Sequence, residues 1–325
     1  ESVLLMPLLD VTDLEVSFGA NRALRGVSFA LEKGERLGIV GESGAGKSMA
    51  AFAIINLISE PGEITGGQVV FDGQRLDTMG TEDLRAIRGD RIAMIFQDPM
   101  MTLNPVMTIG EQMVETLLAH RSMTKAEARR IAVEKLDLVA VPSPAARIDN
   151  YPHELSGGLR QRVVIAISLL CDPEIIIADE PTTALDVTIQ AEIMALLMRL
   201  CETQDMGLIL ITHDLAVVSE SCERIAVMYA GKIIEEGPVG AILQAPRHPY
   251  TRGLLGALPQ MNSRGGLLRQ IRGSMPGIGD LPEGCAFHPR CDHAVERCQA
   301  VVPSLEGVGA GHATACIRVG EITDG

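Results

Sequence analysis

The chain lacks an apolar run long enough to cross a membrane. Its longest uncharged apolar stretches, such as residues 163–171 and 207–211, fall far short of the roughly 20 residues that a membrane helix requires. The apolar residues 2–9 have neither a basic segment before them nor a small-residue cleavage site after them, so they do not indicate a signal peptide. We therefore expect a cytoplasmic protein that meets a membrane only through partners.

Positive charge is also scarce. The chain has 28 Lys and Arg against 42 Asp and Glu, and its formal net charge of −14 argues against a general nucleic-acid binder. No repeat of 20–50 residues is visible, and no sustained heptads indicate a long coiled coil. Hydrophobic residues make up 46% of the 325 residues, which predicts a sizeable core in one large domain or two.

A glycine-rich loop is the most informative feature that is present. Residues 41–48 read Gly-Glu-Ser-Gly-Ala-Gly-Lys-Ser, between a predicted strand at 36–40 and a predicted helix at 47–56. Glycines let a backbone wrap phosphates, and amides at a helix N-terminus attract anions. We expect Lys47 to reach the β- and γ-phosphates of a nucleoside triphosphate, and Ser48 to bind Mg²⁺. The flanking strand and helix disfavour the alternative, a glycine turn followed by an incidental Lys-Ser.

A second segment carries two adjacent acids. The apolar residues 174–178 predict a buried strand that delivers Asp179 and Glu180. In phosphate-loop ATPases an acid at the end of such a strand holds Mg²⁺, and the glutamate beside it is well placed to polarise the attacking water. In isolation the segment would indicate a buried strand that ends in solvated acids. The phosphate loop upstream favours the catalytic interpretation.

The order of these motifs, with Leu-Ser-Gly-Gly at 155–158, resembles the nucleotide-binding domain of ABC transporters over residues 8–240. The resemblance implies an α/β fold with a RecA-like core, an antiparallel β subdomain and a helical subdomain at about residues 98–165. We expect this domain to occupy residues 1–240, and a small cysteine-rich extension to occupy residues 241–325.

Further positions match motifs of that family. Gln97, in Ile-Phe-Gln-Asp-Pro, matches the glutamine that senses Mg²⁺ and the nucleophilic water and faces the membrane subunits. Residues 183–186 match the D-loop, and His213 matches the switch histidine that contacts the γ-phosphate. A lone histidine after an apolar strand is otherwise a structural cap or a surface residue. Phe18 takes the place of the aromatic that stacks on adenine, where the family more often has tyrosine.

The resemblance thus implies complete sets of site residues. Those acting in catalysis are Lys47, Gln97, Glu180 and His213, and those binding Mg²⁺ are Ser48, Gln97 and Asp179. Those contacting nucleotide are Phe18, Gly41, Glu42, Ser43, Gly44, Ala45, Gly46, Lys47, Ser48, Met49, Gln97, Asp179, Ser156, Gly157 and Gly158.

The signature Ser156-Gly157-Gly158 precedes an apolar segment that continues through Leu170. A hydroxyl and bare backbone amides at a helix N-terminus form an anion site, and the phosphate loop of the same chain needs no second one. In the resembled family the signature completes the ATP site of a neighbouring subunit. We therefore expect the chain to act as half of a dimer that closes on ATP and opens after hydrolysis.

The segment between the two ATP motifs has helical patterns. Thr124 is a predicted N-cap, with Glu127 three residues later forming a capping box. The two prolines in residues 97–105 predict a kinked, extended connection that acts as a lever between the ATP site and a partner. The alternative is a plain surface loop.

The seven cysteines fall into two groups. Three are scattered in apolar or helical contexts and are predicted to be buried thiols without a role: Cys171, Cys201 and Cys222. The other four follow the spacing C-x₅-C-x₆-C-x₁₇-C: Cys285, Cys291, Cys298 and Cys316. Their surroundings are too rich in turn residues to build a core.

Metal ligation is the better interpretation of the second group, because disulfides are rare in a reducing compartment. Four thiolates suit Zn²⁺ or an iron–sulfur cluster, although the paired C-x₂₋₄-C knuckles of zinc ribbons are absent. Residues 248–259 and 284–291 resemble the C-terminal extension of dipeptide/oligopeptide permease ATPases, whose members carry a 4Fe–4S cluster on four such cysteines. The resemblance favours that cluster over Zn²⁺, in a structural or redox-sensing role. His288 and His293 are expected beside the cluster or on the surface, with substitution as ligands the alternative.

The resemblance implies the ATP-hydrolysing motor subunit of a bacterial importer for di- or oligopeptides. Its expected partners are two membrane permeases, a second and different ATPase, and an extracytoplasmic binding protein, at the cytoplasmic face of the inner membrane. Nickel, opines, glutathione and antimicrobial peptides are alternative cargoes. A soluble ABC ATPase without a transport role, or a redox or metal-binding module that carries an ATPase, remains an alternative class.

Overall fold

A computed structural model of the chain describes residues 6–183, 185–257, 270–309 and 311–322. The chain divides into two compact units. The sheet unit contains the described residues up to 32, residues 36–77 and those from 210 onward, and the helical unit contains residues 33–35 and 78–209. The predicted helical subdomain at about 98–165 falls within the helical unit, and its exact limits stay a prediction.

The strands and helices of the described residues follow in chain order. The strands are β1 (Leu9–Phe18), β2 (Asn21–Leu31), β3 (Arg36–Val40), β4 (Gly62–Phe71), β5 (Gln74–Arg75), β6 (Ile92–Ile95), β7 (Ile175–Asp179), β8 (Gly207–Thr212), β9 (Arg224–Tyr229), β10 (Lys232–Pro238), β11 (Glu306–Gly309) and β12 (His312–Thr314). The helices are α1 (Lys47–Ile54), α2 (Thr81–Ile87), α3 (Pro99–Thr102), α4 (Ile109–His120), α5 (Lys125–Leu138), α6 (Pro144–Arg147), α7 (Gly157–Ser168), α8 (Val187–Gln204), α9 (Leu215–Ser221), α10 (Val239–Gln244), α11 (Pro249–Gly256) and α12 (Arg297–Ala300).

The sheet unit contains an antiparallel sheet with the order β2-β1-β4-β5. Strand β1 buries Leu9, Val11, Leu14 and Val16, each at most 1% exposed. The register shifts between Val11 and Leu14. Leu14 is three residues after Val11, so a regular strand would turn it to the opposite face. The bulge returns Leu14 to the buried face, and β1 keeps one apolar face along its length.

The sheet unit also contains β3 beside β9 in parallel register, with Leu37 opposite Arg224. Strands β10, β12 and β11 extend this arrangement antiparallel beyond β9. The last four residues of β3 are buried, as expected for a parallel strand covered on both faces. The hairpin that precedes Cys316 is therefore attached to the edge of the sheet through β10.

The helical unit contains β6 and β7 as a parallel pair, with Ile92 opposite Ile175. Its helices have well-formed starts. The predicted capping box of Thr124 and Glu127 is confirmed at α5, and Thr108 and Glu111 form the same arrangement at α4.

The predicted strands at 36–40 and 174–178 are confirmed as β3 and β7, and the predicted helix at 47–56 is α1. The extended connection predicted after Gln97 is wrong in part, because α3 begins at Pro99 with Asp98 accepting a hydrogen bond from Met100 N. Proline fits the first position of a helix, where no amide hydrogen is needed. Within the described residues, no helix is both long enough and apolar enough to span a bilayer.

Candidate functional site

The phosphate loop of residues 41–48 connects β3 to α1 in the sheet unit. Lys47 Nζ donates hydrogen bonds to the carbonyl oxygens of Gly41 at 2.9 Å and Glu42 at 3.1 Å. The lysine is only 6% exposed. Its ammonium group is therefore held close to the loop backbone, and its contact with phosphate stays a prediction.

The loop needs glycine at its last turn. Gly46 has φ +101°, and a Cβ there would lie 3.1 Å from Leu24 Cδ2 and 3.3 Å from Gly231 Cα. Gly231 N also donates to Ala45 O at 2.8 Å. A side chain at position 46 would strain the backbone and push the loop away from its neighbours.

Glu42 is bound by two residues that the sequence did not identify as part of the site. Its backbone N–H donates to the hydroxyl oxygen of Tyr250 at 2.8 Å. Its carboxylate accepts from both terminal nitrogens of Arg290, at 2.6 and 2.9 Å. Both residues lie in segments that resembled the permease extension, but nothing local in those segments indicated contact with a loop more than 200 residues away.

The catalytic candidates of the helical unit surround Glu180. Gln97 Nε2 donates to Glu180 Oε2 at 3.0 Å, and Thr183 Oγ1 donates to the same oxygen at 2.8 Å. Glu180 has φ +46°, a left-handed conformation that is uncommon for a residue with a side chain. Asp179, the last residue of β7, is 3% exposed. The structure thus brings Gln97 and Glu180 together as two predicted site residues.

The signature segment starts α7. Ser156 is its N-cap and accepts a hydrogen bond from Leu159 N at 3.4 Å, and Gly157 is the first helical residue. A Cβ on Gly158 would lie 2.8 Å from Ile189 Cγ2 on α8. Glycine at 158 therefore allows α7 to approach α8 closely. The anion site predicted at the start of α7 stays a prediction.

The remaining candidates lie at the ends of strands and helices. His213 is exposed directly after β8, and Asp214 next to it caps α9 by accepting from Ala216 N at 2.8 Å. Asp186 of the D-loop caps α8, while residue 184 lies outside the described residues. The ring of Phe18 packs over Gly62, where a Cβ would lie 2.6 Å from Phe18 Cε1. Adenine stacking by Phe18 and γ-phosphate contact by His213 stay predictions.

The cysteine module comprises residues 284–309 and 311–318. One cavity is lined by Cys285, Cys291, Cys298 and Cys316, together with His288 and His293. The segments are tied together by a hydrogen bond of 2.8 Å from Cys285 N to Cys298 O.

Burial raises the pKa of the Cys291 thiol to about 11 and also raises the pKa values of Cys285 and Cys316. None of the seven cysteines, which all lie within the described residues, forms a disulfide. Cys171 and Cys201 are buried as predicted, whereas Cys222 is half-buried. Among the described residues, no group of three or more His, Cys, Asp or Glu side chains is arranged to hold a single metal ion.

The strand–loop–helix with its buried lysine, together with the acids that end β7, defines an α/β phosphate-loop ATPase. The family model for ABC transporters matches residues 24–183, and the model for the oligopeptide/dipeptide transporter C-terminal region matches residues 234–298. These two matches cover the phosphate loop and the first three cysteines of the cysteine module.

Sequence comparison with individual proteins indicates the same family. The dipeptide transport ATP-binding protein of Escherichia coli K12 is 46% identical over 315 residues, covering 96% of each chain. The oligopeptide transport ATP-binding protein of Salmonella typhimurium is 47% identical over 315 residues, covering 96% of this chain and 93% of the relative. The chain therefore belongs to the ABC transporter family, as an ATP-binding subunit of its dipeptide/oligopeptide branch, and it is an ATPase.

Solved structures confirm the fold. A dimeric ATP-binding cassette in a post-hydrolysis state with ADP and Pi is 31% identical, with a TM-score of 0.63 over 71% of this chain and 98% of that one. CbiO1 of Clostridium perfringens, part of an ABC transporter complex, is 26% identical, with a TM-score of 0.64 over 74% of this chain and 92% of that one.

Proposed function

We propose that this chain is the ATP-hydrolysing motor of a bacterial importer for di- or oligopeptides. The observation that carries the proposal is the match of residues 234–298 to the oligopeptide/dipeptide transporter C-terminal region. This region lies outside the ABC transporter match at residues 24–183, so it narrows the class beyond ATP hydrolysis. Relatives named for dipeptide and oligopeptide transport cover almost the whole chain.

Several residues of the sheet unit have proposed roles in ATP binding. The loop amides of residues 41–48 and the Lys47 ammonium group bind the β- and γ-phosphates. Phe18 stacks on adenine, and His213 contacts the γ-phosphate. The buried position of Lys47, whose ammonium hydrogen-bonds two loop carbonyls, supports its assignment.

In the helical unit, Glu180 orients and polarises the attacking water. Gln97 donates to one oxygen of Glu180 at 3.0 Å, and the assignment is supported by this contact, which orients the carboxylate. Ser156, Gly157 and Gly158 contact the nucleotide of a neighbouring subunit.

Mg²⁺ fits the donor set assigned to it, because that set consists of hard oxygen ligands. Ser48 is a proposed ligand of the ion in the sheet unit, and Gln97 and Asp179 are proposed ligands in the helical unit. The ion neutralises charge on the phosphates when bound. Asp179 is 3% exposed, and a buried carboxylate of this kind is stabilised by a cation.

The cysteine module offers four sulfur donors. Cys285, Cys291, Cys298 and Cys316 line one cavity, and four cysteine thiolates are ligands of 4Fe–4S clusters as well as of Zn²⁺. We assign these four cysteines to such a cluster, with Zn²⁺ as the alternative.

The assembly follows from the same proposal. Two membrane permeases, a second and different ATPase and an extracytoplasmic binding protein are the proposed partners, at the cytoplasmic face of the inner membrane. The proposed nucleotide-binding domain comprises residues 1–240, and the extension comprises residues 241–325.

The experiment that tests this proposal is affinity purification of the chain from native membranes in mild detergent, with its partners identified by mass spectrometry. Recovery of two multi-span permeases, a second ATPase and a binding protein would support the importer, and the ligand of that binding protein would identify the cargo. Recovery of soluble partners alone would contradict the proposal and move the chain to ABC ATPases without a transport role. A nickel, opine or glutathione ligand would keep the importer and replace the peptide.

A further inference from the structure

The cysteine module reaches the phosphate loop through Arg290, the residue directly before Cys291. The Arg290 side chain is only 6% exposed, and it makes a two-point ion pair with the Glu42 carboxylate at 2.6 and 2.9 Å. Paired hydrogen bonds of this kind fix geometry as well as supplying attraction. Arg290 therefore determines where the second residue of the phosphate loop lies.

Every N–H of the Arg290 guanidinium has an acceptor. Two bind Glu42, and the other three donate to Arg272 O at 2.8 Å, Gly273 O at 3.3 Å and the Tyr229 hydroxyl at 3.4 Å. A lysine has three donors on a single nitrogen and cannot reproduce this planar set. The site is thus built for arginine rather than for a positive charge alone.

A second contact reaches the same loop residue. The Tyr250 hydroxyl accepts from Glu42 N at 2.8 Å. Tyr250 is fully buried, and its ring packs edge-on against Tyr229 and Phe287, with centroids 4.8 and 5.4 Å away. Phe287 lies between Cys285 and Cys291 in the chain. The backbone and the side chain of Glu42 are therefore both held by residues packed with the cysteine module.

The charge of Glu42 gives this contact a consequence for nucleotide binding. A carboxylate on a phosphate-binding loop repels the triphosphate, and an arginine paired to it offsets that repulsion. The loop amides also bind phosphates only when the backbone holds them in one orientation.

We propose that Arg290 is a positioning residue for ATP binding, which acts by holding and neutralising Glu42. This inference rests on the proposed assignment of residues 41–48 as the ATP site. It adds a role for the C-terminal segment, because an ordered cysteine module is then required for full ATP affinity.

The test measures equilibrium ATP binding by the purified full chain in a Glu180→Gln background, so that hydrolysis does not deplete the nucleotide. Arg290→Met removes the charge and the pair, whereas Arg290→Lys keeps the charge and loses the two-point geometry. Each is expected to weaken ATP binding about tenfold. Arg272→Met is the matched control, because it removes a nearby arginine whose side chain makes only an exposed contact with Asp292 at 3.8 Å. It is expected to leave ATP affinity unchanged.

Three further measurements distinguish this positioning role from a merely structural one. Without the Glu180 change, Arg290→Met is expected to raise KM for ATP about tenfold and to change kcat by less than about twofold. Adding Arg290→Met to Glu42→Gln is expected to cause little further loss of affinity, because the residue acts through Glu42. Tyr250→Phe keeps the buried ring and the net charge, and it is expected to weaken ATP binding about threefold.

The outcomes separate this inference from the proposed function. ATP affinities of the Arg290 variants within about twofold of the parent chain, or equal losses with and without Glu42→Gln, would overturn the role of Arg290. In both cases the parent chain still binds ATP, and the assignment of residues 41–48 stands. Failure of the parent chain to bind ATP would instead contradict that assignment.

Discussion

Gln97 Nε2 donates a hydrogen bond of 3.0 Å to Oε2 of Glu180, which also accepts from Thr183 Oγ1 at 2.8 Å. Two neutral donors therefore converge on one carboxylate oxygen. They orient the Glu180 side chain through that oxygen. A carboxylate held in this way suits the proposed role of Glu180 as a general base.

Glu180→Gln tests this arrangement. The amide oxygen of the new side chain can accept from Gln97 and Thr183, so the geometry is retained while basicity is lost. We expect ATP binding to be retained and hydrolysis to slow by about 100-fold or more. Glu174→Gln, at the opposite end of β7, is the control and is expected to hydrolyse ATP normally. Normal turnover by Glu180→Gln would remove the proposed role of Glu180.

Lys47→Ala tests the phosphate loop. Lys47 Nζ is held by the carbonyls of Gly41 and Glu42, at 2.9 and 3.1 Å. Its loss removes the single side-chain cation of the loop, and we expect ATP affinity to fall by about 100-fold, measured by equilibrium binding. Lys33→Ala removes an exposed lysine that pairs with Asp205 and serves as the control. Unchanged affinity in Lys47→Ala would contradict the assignment of the loop.

The sequence predicted the parts of the site that depend on local chemistry. The strand, the glycine loop and the helix at residues 36–56 are adjacent in the chain, and their residue types alone determine how they join. The capping box at Thr124 was predictable for the same reason.

The contacts of Glu42 were not predictable, because Tyr250 and Arg290 are 208 and 248 residues away. Only the packing of the C-terminal segment brings them to the loop. Likewise, the sequence indicated the cysteines as ligands, but the cavity that they share depends on β12 pairing with β10.

Cys285→Ser tests the metal of the cysteine module. If the four cysteines hold a 4Fe–4S cluster, the anaerobically purified chain is expected to be brown and to contain about four irons. Cys285→Ser removes a sulfur ligand and is expected to lose both the visible absorbance and the iron. Cys222→Ser, which changes a half-buried cysteine outside the module, is expected to keep them. A colourless parent chain with one bound zinc would reverse the choice of metal.

His248 provides a test based on pH. It is 2% exposed, and its Nδ1 accepts from Tyr250 N at 3.0 Å, which requires the neutral ring. Burial lowers the pKa of His248 from 6.5 to about 3. The unfolded chain therefore binds a proton below pH 6.5 that the folded chain does not. This contribution is absent above pH 6.5 and destabilises the fold increasingly as the pH falls, by about 1.4 kcal/mol per pH unit.

His248→Asn isolates that contribution. His248 is the N-cap of α11. Asparagine is also a good helix N-cap and can accept from Tyr250 N, but it does not titrate. Between pH 7 and pH 5, the free energy of unfolding of the parent chain is expected to fall by about 2 kcal/mol more than that of His248→Asn, measured by urea denaturation at each pH. Since Tyr250 also binds Glu42 N, the comparison is made without nucleotide. Equal pH dependence in the two chains would show that His248 titrates normally in the folded state.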